Sequence, residues 1–241
     1  MAKIPDRPQD IFAPLTRDYR EVFGSDLISL MLYGSAAGGS YVKGKSDINI
    51  LVVLTPEGMN RLDGALTVVK NWRKQNVTVP LVMTKDFIAT SLDSYPIEFL
   101  NMQNNSTLIY GEDVLKGLTF KPEDLRLQIE RELKAKILLL RKEYLGSEGS
   151  VRDLRNLIGR SVTAFVSIFN ALLYLKTGSA PKDKRATMNE MGRAFGLDSG
   201  VFDLCFRIRE GTDKLSKPEI TSLFKKYVSE AEKVSHLVDG L

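Results

Sequence analysis

The chain has little of what most nucleophilic and soft-metal chemistry requires. It holds one cysteine, Cys205, and one histidine, His236, in 241 residues. One cysteine excludes an intrachain disulfide and any cysteine-based zinc cluster. Cys205 falls in an apolar helical pattern, where a free thiol packs as a small hydrophobe. One histidine, close to the C-terminus, argues against a Ser-His-Asp triad, a histidine-ligated metal and a histidine base. Its expected state is solvated, at a fraying end. The opening MAKIPDRPQD lacks the apolar core of a signal peptide. The longest near-apolar run, Ser161 to Leu175, contains Asn170 and is shorter than the roughly 20 residues that a bilayer demands. These absences lead to the expectation of a cytoplasmic chain with no membrane partner. Acid–base and metal work must fall to carboxylates.

Aspartate and glutamate are plentiful, and the net charge is +4. That mildly basic balance allows an anionic partner such as a nucleotide or RNA without requiring nucleic acid. The length suits one large domain or two small ones. The stretch from Tyr33 to Leu54, YGSAAGGSYVKGKSDINILVVL, organises the rest. An apolar strand, Ile28 to Tyr33, runs into Gly34 and Ser35. Asp47 then opens a second strand, continued by Ile48, Asn49 and the apolar run Ile50 to Leu54. A turn that offers backbone N–H groups and a hydroxyl suits phosphate. An acid on the neighbouring strand suits the divalent ion that accompanies phosphate.

This pattern of apolar strand, Gly-Ser, spacer and Asp-x-Asp resembles the signature of the nucleotidyltransferase fold. The similarity extends to the minimal nucleotidyltransferases and to the antibiotic adenylyltransferases of the kanamycin type. Gly34, Ser35, Ser46 and Asp47 match; the second acid is replaced by Asn49. The resemblance implies that Gly34, Ser35, Lys45 and Ser46 bind nucleotide. It implies that Asp47, Asn49 and a third acid form the catalytic set and hold Mg²⁺. Gly39 to Ser46 also satisfies the Walker A pattern letter for letter. That motif needs a strand before it and a helix after its Lys-Ser. Here a strand is predicted after Ser46, so the match is read as coincidence. Lys45 is then either a point charge near phosphate or a solvated loop lysine.

Around this centre, residues 8 to 23 predict an amphipathic helix stopped by Gly24. Thr55-Pro56-Glu57 predicts a helix start, with Leu62, Leu66, Val69 and Trp72 as its buried stripe. Val77 to Met83 reads as a strand and Thr84 as the cap of a short helix. Residues 96 to 103, PIEFLNMQ, read as another strand. Thr107 to Tyr110 is a further one, ended by Gly111. The third acid of the resembling family stands on a strand shortly before one that ends in Tyr-Gly. Glu98 in IEFL fits that description. The rival strand, Val77 to Met83, offers Thr78 or Pro80 and no acid.

Beyond Gly117 the pattern changes to helices near 121–146, 150–176, 184–195, 199–211 and 218–238. The fold expected is an α/β nucleotidyltransferase-like domain with a mixed sheet over residues 1–119, then an all-α helical bundle over residues 120–241. In the resembling family two magnesium ions serve the reaction, one on the phosphates and one on the attacking hydroxyl. Asn49 can ligate through its carbonyl oxygen but brings no charge. Two functions are consistent with these residues. One is transfer of an NMP from a magnesium-bound NTP to a hydroxyl on a small-molecule or macromolecular acceptor. The other is a degenerate fold that binds nucleotide or protein without chemistry.

Overall fold

The computed structural model describes residues 4–39 and 41–241. The chain divides into two compact units. One comprises the residues up to Asp93 together with Phe99–Thr119; the other comprises Ser94–Glu98 and Phe120–Leu241.

The first unit begins with helix α1 (Phe12–Phe23). Leu15, Tyr19 and Phe23 recur every fourth residue and are buried, together with Ile11 just before them. This is the apolar stripe of a core-facing helix. Four strands come next: β1 (Leu27–Tyr33), β2 (Asn49–Leu54), β3 (Leu81–Met83) and β4 (Ser106–Gly111). They form one sheet in the order β3-β2-β1-β4. β1 runs antiparallel to β2 and β4, and β2 runs parallel to β3, so the sheet is mixed. Ile50 to Leu54 are all buried. An unbroken apolar strand of this kind belongs to a sheet covered on both faces. Leu30, Leu32, Ile48, Ile50, Val52 and Leu54 share one core with α1 and Trp72.

Short helices connect the strands: α2 (Pro56–Met59), α3 (Leu66–Arg73), α4 (Lys85–Thr90) and α5 (Pro96–Asn104). The Thr55 hydroxyl caps α2, accepting from the Gly58 N–H at 3.1 Å. The single helix expected from Pro56 is instead broken by a 3₁₀ turn at Leu62–Ala65. Its predicted stripe is also rotated. Leu66 is exposed, while Ala65, Val68 and Trp72 face the core. The expected strand Val77–Met83 is paired only at the isolated bridge Ile48–Val77 and again from Leu81.

The larger correction concerns PIEFLNMQ, which is helix α5 and not a strand. Ile97, Phe99, Leu100 and Met102 are all buried. With these residues buried and Glu98 exposed, so short an apolar run does not tell a helix from a strand by its period. Pro96 is its first residue, a position where no N–H is needed.

The second unit is all-helical: α6 (Pro122–Gly146), α7 (Val151–Thr177), α8 (Lys184–Phe195), α9 (Ser199–Glu210) and α10 (Lys217–Asp239). Ser150, Asp183 and Asp198 accept backbone N–H bonds at the starts of α7, α8 and α9. Gly178, Gly196 and Gly211 end the same helices in the left-handed conformation. The core is aromatic. Phe169 meets Phe165 at 5.8 Å and Phe202 at 5.5 Å between ring centroids. Tyr227 meets Phe165 at 5.5 Å and Phe202 at 5.8 Å. The Tyr227 hydroxyl donates to Ser161 Oγ at 3.0 Å.

The run Ser161–Leu175 lies inside α7, whose 27 residues are long and apolar enough, by length and composition, to cross a membrane. In the bundle, Val162, Phe165, Phe169 and Leu172 of this helix are fully buried against protein.

Candidate functional site

The turn after β1 is built around Gly34. Its φ is +78°, a left-handed conformation that glycine adopts without penalty. A Cβ on Gly34 would also lie 3.3 Å from Asn49 Nδ2. The Gly34 N–H donates to the Asn105 carbonyl at 2.9 Å. Ala37 and Gly38 N–H both donate back to the Gly34 carbonyl at 3.1 Å, which curls Gly34–Ala36 into a 3₁₀ turn. Gly38 has little room either: a Cβ there would stand 2.9 Å from Asn105 Oδ1. Asn105 thus braces the turn through both its backbone and its side chain. The sequence signals it only as part of an Asn-Asn-Ser turn.

The loop from Val42 to Ser46 closes on itself. Ser46 Oγ accepts from the Val42 N–H at 2.9 Å, and the Ser46 N–H donates to the Val42 carbonyl at 2.8 Å. Ser46 therefore already serves the loop, and Lys45 beside it is exposed. From Ser46 the chain runs into strand β2 and not into a helix, so the Walker geometry is absent. Ser40, a variable position of that pattern, lies outside the described residues.

Asp47 and Asn49 flank the fully buried Ile48. Alternation along β2 puts Asn49 on the face opposite the α1 core, beside its register partner Tyr33. Burial pushes the Tyr33 phenol pKa up, so it stays neutral. Asp47 is exposed, and no described residue bonds its carboxylate. Asn49 is held on two sides. Its Nδ2 stands over Gly34, and its Oδ1 accepts from the Thr78 hydroxyl at 3.1 Å. Thr78 Oγ1 also lies 3.4 Å from the Ile48 carbonyl. The segment next to β2 thus presents a hydroxyl bonded to the Asn49 amide. In the sequence Thr78 stands only as an acid-free alternative, with no local sign of its bond to Asn49.

Glu98 does not stand on a strand. It lies in the first turn of α5 and groups with the helical unit. There Gln128 of α6, itself buried, donates from Nε2 to Glu98 Oε2 at 2.7 Å and accepts from the Ile97 N–H at 2.8 Å. Gln128 caps the start of α5, satisfying a helix N–H that has no partner within the helix. Among the described residues no group of three or more His, Cys, Asp or Glu side chains comes together as a metal site.

No family model matches this chain, and no curated protein does. Its structure is similar to that of spectinomycin adenyltransferase AAD(9) from Enterococcus faecialis, solved with ATP and spectinomycin. The TM-score is 0.50 and the identity 14%, over 91% of this chain and 99% of that one. At such identity the likeness speaks for the fold. It shows a nucleotidyltransferase-like α/β region with a mixed four-stranded sheet, joined to a C-terminal helical region.

Proposed function

We propose that this chain is a nucleotidyltransferase-like protein that binds a magnesium-bound nucleoside triphosphate and transfers its NMP slowly or not at all. Gly34 and Ser35 would hold the phosphates through backbone N–H groups and the Ser35 hydroxyl, with Lys45 as a nearby point charge. Asp47 would take the metal that travels with those phosphates, with Asn49 beside it. Mg²⁺ would neutralise charge on the phosphates.

The donor set fits one such ion. It does not fit two, because Asp47 is the one acid among Asp47–Asn49, and the neighbouring Thr78 is a hydroxyl that brings no charge. The observation that carries this reading is the Thr78–Asn49 bond at 3.1 Å. Asn49 Oδ1, the atom that would have to ligate, carries no charge and already accepts one hydrogen bond from a neighbour. The reading is also supported by the likeness to an adenyltransferase solved with ATP. The acceptor hydroxyl would then lack the ion that lowers its pKa, and attack would be slow. Glu98, bonded to Gln128, is left out of this ligand set.

The test is a thermal-shift titration with ATP, GTP, CTP and UTP, each with and without Mg²⁺. The native chain should be stabilised by at least one nucleotide only when Mg²⁺ is present, and Asp47→Ala should abolish the shift. A shift that survives Asp47→Ala would place nucleotide binding elsewhere.

A further inference from the structure

An open groove of about 1010 Å³ runs along the first half of α7 in the helical unit, bordered by the ends of α6 and α9. Gly159 lines it. A Cβ on Gly159 would stand 3.5 Å from Arg209 Cα, an ordinary packing contact between α7 and α9.

The charges around the groove do not cancel. Carboxylates on and after α9 are already committed. Arg185 takes Asp203 at 2.7 Å and Glu210 at 3.0 Å, and Arg207 takes Asp213 at 2.9 Å. At the α6 end, Glu143 pairs with Arg160 at 2.9 Å. Arg155 is anchored by two backbone carbonyls, Leu215 at 2.9 Å and Asp213 at 3.4 Å. These orient its guanidinium without neutralising it. Among the described residues no carboxylate pairs with Arg209. Lys184 stands within its field, and burial, then the charge of Arg209, lowers the Lys184 pKa. Asp153 is the one opposing acid in the groove besides Glu143. The groove also holds a hydroxyl, Thr163 Oγ1, that is buried and has no hydrogen-bond partner.

Unneutralised guanidinium groups are the donors that phosphate oxygens prefer. The volume is that of a site for a nucleotide-sized molecule. We propose that this groove binds a small phosphorylated ligand, with Arg155 and Arg209 on its phosphate oxygens. The inference is independent of the Asp47 site, since every residue it uses lies in the helical unit.

Calorimetric titration of the full chain in EDTA tests it, with inorganic pyrophosphate, ATP and a single-stranded oligonucleotide as probes. EDTA removes the divalent ion on which binding at Asp47 depends, so the two sites are read apart. Pyrophosphate or ATP should bind in EDTA. Arg209→Glu should weaken that binding about tenfold or more, while Arg209→Lys and Asp47→Ala keep it. Arg209 is exposed, so the melting temperature should not move. If it does, Arg209→Gln carries the same comparison. Absence of binding in EDTA, binding that Arg209→Glu leaves unchanged, or binding of the oligonucleotide alone would each overturn the proposal. None of these results would touch magnesium-dependent binding at Asp47.

Discussion

In the proposed function Asn49 sets the number of metal ions, and its surroundings make the consequence of changing it specific. An aspartate there would keep the Thr78 hydroxyl as a donor and add a charge next to Asp47. Asn49→Asp should therefore fold normally and bind Mg²⁺ or Mn²⁺ more tightly, measured by titration with the nucleotide present. The added charge acts at short range, where its effect is strongest. Gly34 is the opposite case. Gly34→Ala forces a side chain into φ +78° and against Asn49 Nδ2. We expect a loss of about 1–2 kcal/mol in chemical denaturation and a weaker nucleotide-induced thermal shift. Gly34, Ser35, Asp47 and Asn49 are legible in the sequence because the strand, turn and strand around them have strong local signals. Thr78 and Asn105 are not, because each acts through one contact with a residue distant in the chain.

Helix α5 shows how an element escapes a sequence reading. Its short apolar run fits a strand as well as a helix, and its cap comes from Gln128, 31 residues after the N–H it accepts. Gln128→Leu would leave the Ile97 N–H and the Glu98 carboxylate without that partner. It should cost about 1–3 kcal/mol in denaturant unfolding, the range for a buried polar group left unsatisfied. The long helices of the second unit are legible because their caps are local and their stripes keep a helical period. Helix α10 adds a pH dependence at both ends. Near its start the Ser216 hydroxyl and N–H hold the Glu219 carboxyl below its ordinary value of 4.5. Near its end a hydrogen bond from Lys134 holds Asp239 below its ordinary 3.8. Carboxyls depressed by folding stabilise the folded state above their unfolded pKa, and that stability is lost as pH falls through the folded value. The melting temperature tracked by circular dichroism should therefore decline as pH drops below about 4.5. Glu219→Gln should be less stable at neutral pH and show a shallower decline.

Across the whole chain, charge is unevenly spread. Residues 121–241 carry 22 Lys+Arg against 17 Asp+Glu, a net of +5, which leaves −1 for residues 1–120. The aromatic core of the helical unit should dominate its stability. Phe169→Ala would open a cavity between Phe165 and Phe202 and cost about 3–5 kcal/mol. Cys205 reports on that core. It is fully buried and burial pushes its thiol pKa up, so thiol reagents should label it only on unfolding. The two-part architecture is legible because helical and strand periods occupy different stretches of sequence. The exchange of Ser94–Glu98 into the helical unit is not, because it depends on packing around Gln128. The central claim is that the α/β unit has ligands for one nucleotide-bound metal and not for two. The most direct measurement counts Mn²⁺ ions bound per protein–nucleotide complex by electron paramagnetic resonance, in native chain and in Asn49→Asp. We expect one tightly bound ion in the native complex, and a second ion bound by Asn49→Asp at concentrations where the native chain takes none. Two tightly bound ions in the native complex, unchanged by Asn49→Asp, would contradict the account.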